Sequence, residues 1–495
     1  MKLLEQWDAL VVPGDLVYFL DRDSGTRLVA NPELAAWSAL DEREAGLLRA
    51  LARRGRPDEP AGPPPADPMW AERTLAKLVL KWLVYLPGRR PEVRLAEPSL
   101  KIVYYAVTDG CNLRCPYCYA SSEKCLPGEM TTAESLGLVD AIADMGARTL
   151  VLTGGEPMLR KDLFTVAGHA RERGLSVNMI TNGTMIRKPE TARRIADLFS
   201  LVTVSIDGGT AELHERTRGE GTFARTAHGL SLLNDAGVVP VINHVVTPGN
   251  VDALDEVCRF VSGLKIRRVR LMHHSDLGRA AGDDYDFGWA DYRKIQQFLW
   301  TDPRSDALLP DGPRAAKPCS ITGNCGMGGN EIYINSLGDV YPCKLVTKQV
   351  HLAGNVRHKP LAELFRSPLL ADMRGNSVVE GKNLEDCRRC YIRGACGGGC
   401  RGYHMAESGD IHRNGRHLCR MLRQSMVANW WQAVGTTGRR LAEAPDELMR
   451  PRLVGDDTVH PVHEDWKSAG RRMLPVLSSA GAGGCGTKTA PAPAP

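Results

Sequence analysis

Cys111-Asn112-Leu113-Arg114-Cys115-Pro116-Tyr117-Cys118 is the stretch on which the reading of this chain turns. It follows an apolar run, Lys101 to Thr108, that alternates and is rich in β-branched and aromatic residues, which predicts a strand. Gly110, Asn112 and Pro116 are poor residues for a helix interior, so the cysteines belong on a loop. Three thiolates on one tight loop suit three irons of a cubane [4Fe–4S] cluster, leaving the fourth iron open to a small molecule. A lone Cys-x-x-Cys is a common zinc half-site or redox pair, and a structural zinc wants four closed ligands. The three-then-two spacing, with an aromatic before the last cysteine, fits neither pattern.

Working outward, strand-like and helical segments alternate from residue 101 to about 272. Strands are expected at Tyr104–Thr108, Thr149–Thr153, Ser176–Ile180, Leu201–Ile206, Val238–Val246 and Arg268–Met272. Helices are expected near 132–145, 160–173, 189–198, 222–236 and 251–263. Right-handed crossovers make the six strands a parallel sheet, in which chemistry collects at the carboxyl ends. The second strand runs into Gly154-Gly155-Glu156-Pro157, where two glycines allow close backbone approach and Pro157 fixes the exit. The third ends in Thr181-Asn182-Gly183 and the fourth in Ser205-Ile206-Asp207-Gly208, ordinary turns on their own. Asn243, His244, His273 and His274 sit at or near the last two strands, where core or rim histidines are common.

A second cysteine field holds Cys319, Cys325, Cys343, Cys387, Cys390, Cys396, Cys400 and Cys419. Eight thiolates close two four-ligand clusters, and tandem zinc sites could use the same set. Glu331 to Asn335 and Gly338 to Cys343 read as a hairpin carrying a ligand. Gly397-Gly398-Gly399 lets the chain wrap tightly between ligands. Cys125, Cys258 and Cys485 fall outside both patterns, and Cys258 reads as a small buried apolar residue.

The Cys-x-x-x-Cys-x-aromatic-Cys loop resembles the signature of the radical S-adenosylmethionine (radical SAM) enzymes, and the second field resembles their SPASM extension. The resemblance implies an α/β fold, a partial (β/α)6 TIM-like barrel with a cysteine-rich C-terminal SPASM domain. It implies that Cys111, Cys115 and Cys118 hold a [4Fe–4S] cluster that binds S-adenosylmethionine. Gly154, Gly155, Glu156 and Pro157 would bind its amino group, and Asn182, Ser205 and Asp207 would line its sugar and methionine. Arg218 would pair its carboxylate through a planar fork, with a solvated surface arginine as the alternative, and Tyr117 would lie against the adenine. Cys319, Cys325, Cys343 and Cys400 would hold a first auxiliary [4Fe–4S] cluster, and Cys387, Cys390, Cys396 and Cys419 a second.

The implied activity is reductive cleavage of S-adenosylmethionine to a 5′-deoxyadenosyl radical. That radical would abstract hydrogen from a ribosomally made peptide, with formation of a C–S or C–C crosslink. A flavodoxin- or ferredoxin-type donor would supply the electron. The alternatives are a protein oxidase of the sulfatase-maturing kind, a small-molecule radical SAM enzyme, or a zinc-binding scaffold without catalysis. No general base can be picked from spacing.

Composition agrees. A net charge of +5 over 495 residues, with no dense Lys/Arg block, does not suggest nucleic-acid binding. The most apolar stretch, Leu75 to Leu86, carries Lys77 and Lys81 and is too short to span a bilayer. The start Met1-Lys-Leu-Leu-Glu-Gln lacks a signal-peptide core, so fourteen cysteines point to metal chemistry in a reducing, cytoplasmic setting. The expected division is 1–55, 56–98, 99–311, 312–425 and 426–495. The first, a hairpin (Asp15–Leu20, Thr26–Ala30) followed by helices at Glu33–Leu40 and Glu42–Arg53, resembles the winged-helix peptide-recognition module of peptide-modifying relatives. Its alternative is an embellishment packed on the main domain. Next come a Pro-rich linker to Pro68 and a docking helix from Met69 to Leu86. The cysteine-bound barrel and SPASM domains follow, then a C-terminal helix and a Gly/Ala/Pro-rich tail expected to be disordered.

Overall fold

A computed structural model describes residues 2–54, 65–86, 88–94, 97–282, 287–309, 321–379 and 384–464. Cys319, Cys485, most of the Pro-rich linker and the Gly/Ala/Pro-rich tail lie outside the described residues.

The N-terminal hairpin forms as expected, β1 (Val17–Leu20) pairing antiparallel with β2 (Arg27–Asn31). The helix expected over Glu33–Leu40 does not form. Its second half is strand β3 (Ala36–Leu40), antiparallel to β2. Asn31 explains the change: its Oδ1 accepts the N–H groups of Glu33 and Leu34 at 3.1 and 3.3 Å, an Asx turn that reverses the chain. The segment after it is buried at four of five positions, so packing on both faces outweighs local helical spacing. Helix α1 (Glu42–Arg53) opens on an Asp41/Glu44 capping box. Helix α2 (Pro68–Leu80) starts with Pro at its first turn and stops at Lys81, short of Leu86.

One face of this sheet buries Tyr18, Val29 and Leu40 against Leu47, Leu48, Leu51, Leu75 and Leu78 of the two helices. The other face buries Val17, Phe19, Leu28, Ala30 and Trp37 against residues some 400 positions later, including Cys390, Tyr391, Val427, Trp430 and Trp431.

The alternating region gives β4 (Ile102–Ala106), α3 (Thr132–Asp144), β5 (Thr149–Thr153), α4 (Leu163–Glu172), β6 (Ser176–Thr181) and α5 (Pro189–Leu198). It continues with β7 (Leu201–Ser205), α6 (Ala211–Arg218), α7 (Thr222–Asp235), β8 (Val241–Val246), α8 (Leu254–Ser262) and β9 (Arg268–His273). All six strands are parallel and adjacent in sequence order. The expected hairpin, β10 (Glu331–Ile334) with β11 (Asp339–Tyr341), continues this sheet rather than standing apart. β10 pairs parallel to β4, and β12 (Gly354–Asn355) closes the other side of β11. The resulting order, β12-β11-β10-β4-β5-β6-β7-β8-β9, leaves β9 at an edge, so the barrel is open. Alternate strand residues such as Val103, Leu150, Val177, Val202, Ile242 and Val269 pack beneath the helices in one core, which turns their neighbours into the lumen.

Helix α9 (Trp289–Thr301) leads out of the barrel. Past the hairpin come α10 (Leu361–Phe365), α11 (Pro368–Arg374), α12 (Glu385–Arg388), α13 (Arg393–Cys396), α14 (Arg401–Ser408) and α15 (Arg416–Ala433). A last strand, β13 (Arg452–Leu453), returns to the free side of β1. Trp430 on α15 stacks on Trp37 at 6.5 Å and meets Phe19 edge-on at 6.4 Å. Trp430→Ala is expected to lose about 3–5 kcal/mol, from cavity formation at a 3% exposed site. A lowered urea midpoint is the measurement.

Candidate active site: three thiol sets around an open barrel

The cysteine loop is fastened to the strand ends by backbone pairing. Gly155 N–H donates to the Thr108 carbonyl and Glu156 N–H to the Gly110 carbonyl, both at 2.8 Å. A side chain at Gly154 would place its Cβ 2.2 Å from the Thr108 oxygen, and one at Gly155 would be 2.3 Å from the Gly110 oxygen. The two glycines are therefore required by contact with the cysteine loop itself. From the far side, Arg279 closes the loop. Its N–H donates to the Cys118 carbonyl at 2.9 Å, Nη1 to the Cys115 carbonyl at 2.6 Å and Nη2 to the Ser122 carbonyl at 2.8 Å. Sequence reasoning missed Arg279, which carries no motif and lies over 150 positions away from the cysteines.

The expected cofactor-binding residues converge on this loop. Glu156 is fully buried. Its Oε1 accepts Thr181 Oγ1 at 2.7 Å and Met158 N–H at 3.1 Å, and its Oε2 accepts Asn182 N–H at 2.7 Å. Burial nevertheless raises its pKa above the usual range. Asn182 Nδ2 donates to Asn112 Oδ1 at 2.9 Å, and Asn112 Nδ2 to Thr184 Oγ1 at 2.8 Å, tying the cysteine loop to the end of β6. Pro157 is buried at the start of a short 3-10 turn, and Ser205 ends β7 half-buried.

Arg218 is neither a surface arginine nor free. Its Nε lies 2.5 Å from Asp207 Oδ2, and the side chains are 8% and 0% exposed. Tyr117 Oη also donates to Asp207, as does Thr217 Oγ1 at 3.1 Å. Burial alone would raise the Asp207 pKa, but Arg218, with His244 and the Val245 N–H, outweighs it and holds it below the ordinary value. Asp207→Asn, which leaves a buried guanidinium unpaired, is expected to lose about 3–5 kcal/mol. In the wild type this contribution is present above the ordinary carboxylate pKa of 3.8 and is lost as pH falls through the lower folded value. A pH series of unfolding midpoints checks both.

The lumen side of the strands carries Asn243 and, around it, groups that the sequence did not single out. Tyr104, on the opposite face from Val103 and Tyr105, lies beneath Lys344 Nζ, 4.5 Å from its ring centre. Arg270, in register with Asn243, interacts with Tyr104 and Arg268; burial and Arg268 lower its pKa. Among the described residues, Arg268 Nε and Asn243 Oδ1 are buried and find no hydrogen-bond partner. His244, by contrast, faces the helices and bonds the Ile206 carbonyl at 3.0 Å. His273 packs among Phe287, Tyr292 and Tyr403, and His274 meets Tyr117 edge-on at 6.4 Å.

The second field folds into two groups. Cys387, Cys390, Cys396 and Cys419 line one cavity with Gly398, His404, Asn414 and Arg423. Cys400, at the start of α14, interacts electrostatically with Cys343 after β11 and with Cys325 before β10. Three consecutive left-handed glycines, with φ of 65°, 83° and 67°, turn the chain from Cys396 of one group to Cys400 of the other. Cys258 is buried in the barrel core, as expected. Among the described residues no three His, Cys, Asp or Glu side chains converge tightly enough for a single metal ion; a cubane spreads its thiolates further apart. Burial pushes the Cys111 thiol up to about 11 and Cys396 to about 12. Such thiols ionise readily only when a metal replaces the proton, so the donor sets fit iron–sulfur clusters.

An open parallel barrel carries a three-cysteine loop at its strand ends and is extended by two thiol groups, donor sets suited to iron–sulfur clusters. Residues 105–261 match the radical SAM superfamily, and residues 325–391 match the SPASM iron–sulfur cluster-binding domain. The mycofactocin maturase MftC of Mycobacterium tuberculosis is 31% identical over 314 residues, which are 60% of this chain and 77% of that protein. An AdoMet-dependent heme synthase of Methanosarcina barkeri is 29% identical over 337 residues, 63% of this chain and 93% of that protein. Streptococcus suis SuiB, solved bound to precursor peptide SuiA, shares the fold with a TM-score of 0.52 at 17% identity, over 83% of this chain and 100% of that one. The chain belongs to the radical SAM superfamily, in its SPASM-containing branch. It is an enzyme that uses S-adenosylmethionine and [4Fe–4S] clusters, which sets aside the zinc-scaffold alternative. Among the described residues no helix is long and apolar enough to cross a membrane.

Proposed function

We propose that this enzyme matures a ribosomally made peptide, its N-terminal module holding one part of the precursor while the barrel modifies another. The observation that carries the reading is the outer edge of β3, which has no partner strand among the described residues. An open edge takes an extended peptide as an added strand, and this one belongs to a sheet docked beside Cys390. The maturase relative supports the same assignment.

Cys111, Cys115 and Cys118 would hold the cluster that binds S-adenosylmethionine. Bound, the pair supplies a 5′-deoxyadenosyl radical able to take hydrogen from an unactivated carbon. The chain's own residues orient and enclose. Gly154, Gly155, Glu156 and Pro157 set the strand end against the cysteine loop, with Asn182, Ser205, Asp207, Arg218 and Tyr117 around it. Cys319, Cys325, Cys343 and Cys400 would hold one auxiliary cluster, and Cys387, Cys390, Cys396 and Cys419 the other. A flavodoxin- or ferredoxin-type protein would donate the electron. Arg268, Arg270 and Lys344, with Glu331 beside Lys344 and Tyr104, line the lumen with groups able to hold carbonyl or carboxylate groups of a substrate.

The heme synthase relative, matched over nearly its whole length, favours a second reading in which a tetrapyrrole occupies the lumen. Mass spectrometry separates the two. Co-expression with a candidate precursor peptide is expected to give a product lighter by two hydrogens, dependent on Cys111. Turnover of an iron porphyrin precursor, with every peptide unchanged, would replace the peptide reading.

A further inference from the structure

Arg401 begins α14 directly after Cys400 and is 1% exposed. A buried guanidinium cannot shed its proton, yet its hydrogen bonds run to neutral acceptors. Nε donates to the Ile411 carbonyl at 2.8 Å, and Nη2 to the Arg413 carbonyl at 2.6 Å. Nη1 donates to the Gly398 carbonyl at 3.1 Å and to Asn414 Oδ1 at 2.8 Å. Among the described residues the leading electrostatic influences on it, once ionised, are sulfurs of both thiol groups, Cys387 and Cys419 of one and Cys325 and Cys400 of the other. A bonded link reinforces this placement: Asn414, which accepts from Nη1, donates through Nδ2 to Cys387 Sγ at 3.2 Å, while on the other side Arg401 follows Cys400 directly in the chain. Arg423 differs, lining the cavity of the second group alone and acting on Cys390 and Cys419.

We propose that Arg401 is a shared counter-ion of the two auxiliary clusters, a positioning residue whose single buried charge sets both reduction potentials together. The proposal rests on the reading that the eight cysteines hold two clusters. Reduction adds negative charge to a cluster, and a fixed cation in a low-dielectric interior stabilises that state. A cation lying between two clusters therefore favours reduction of each.

The test is a redox titration followed by electron paramagnetic resonance on the full-length, anaerobically reconstituted protein with S-adenosylmethionine present. Wild type, Arg401→Gln, Arg401→Lys and Arg423→Gln are compared. Arg401→Gln is expected to lower both auxiliary potentials, each by at least a tenfold change in the reduction equilibrium (about 59 mV for one electron). The cluster of Cys111, Cys115 and Cys118 stays in place. Arg401→Lys should keep most of the wild-type value, and Arg423→Gln should move one auxiliary potential alone. A shift at only one auxiliary cluster, or at neither, in Arg401→Gln overturns the proposal. If Arg401→Gln fails to retain iron, Arg401→Lys decides: retention of both clusters upholds the charge, and loss of both overturns it. Wild-type protein with clearly fewer than about 12 irons removes the two-cluster reading and the proposal with it.

Discussion

Cys115→Ala protein, reconstituted anaerobically, is expected to release 5′-deoxyadenosine at no more than the background of cluster-free enzyme. A loop of three thiolates has no spare ligand, so losing one leaves a cubane two-coordinated by protein and unable to keep one iron open in a defined place. The backbone around Cys115 would survive, because Arg279 Nη1 holds the Cys115 carbonyl and not its sulfur. The loss should therefore be chemical, with unfolding midpoint little changed. Cys258→Ala is the control: Cys258 is 1% exposed in the barrel core, and its replacement should cost some stability and leave S-adenosylmethionine cleavage intact. Nucleoside release measured by chromatography decides, and native-rate release from Cys115→Ala would refute the three-thiolate site.

Gly155→Ala is expected to lower S-adenosylmethionine cleavage by about a hundredfold or more, although it adds one methyl group. The new Cβ would stand 2.3 Å from the Gly110 oxygen, 2.6 Å from its carbon and 2.7 Å from the Asp109 oxygen. All three are backbone atoms that cannot swing aside. The cysteine loop would move away from the strand end, and the 2.8 Å bonds from Gly155 and Glu156 would break. A displacement near 1 Å at reacting groups costs on the order of 10²-fold in rate. Gly168→Ala supplies the contrast, since Gly168 lies within α4 with nothing within 4 Å of its added Cβ. That substitution should stabilise by about 0.4–1 kcal/mol and leave the rate unchanged.

The order of strands and helices in the barrel was readable from the chain because each element satisfies its own periodicity. β5, for example, spans Thr149–Thr153 as expected. What local pattern could not convey was pairing between distant segments. Nothing in Glu331–Ile334 signals that it continues the barrel sheet beside β4, and nothing in Arg452–Leu453 signals that it borders β1. β3 was misread because Glu33–Leu40 has helical spacing, while the Asx turn at Asn31 and the apolar surroundings select an extended chain. That Cys387, Cys390, Cys396 and Cys419 share one cavity is a tertiary fact, which spacing alone does not dictate. Arg279 and Arg401 were invisible, because a guanidinium bonded to backbone carbonyls leaves no spacing rule in sequence. For Arg218 the resemblance implied a cofactor carboxylate as partner, and the pairing with Asp207 was not foreseen.

The docking of the N-terminal sheet has a bearing on any attempt to re-engineer specificity. Phe19 and Trp37 share a core with Cys390 and Cys396, so the module roofs one of the thiol groups. If the sheet holds a precursor as proposed, grafting a foreign module in its place would do more than change which peptide binds: it would also uncover Cys390 and Cys396, so a chimera should be judged by its iron content as well as by binding.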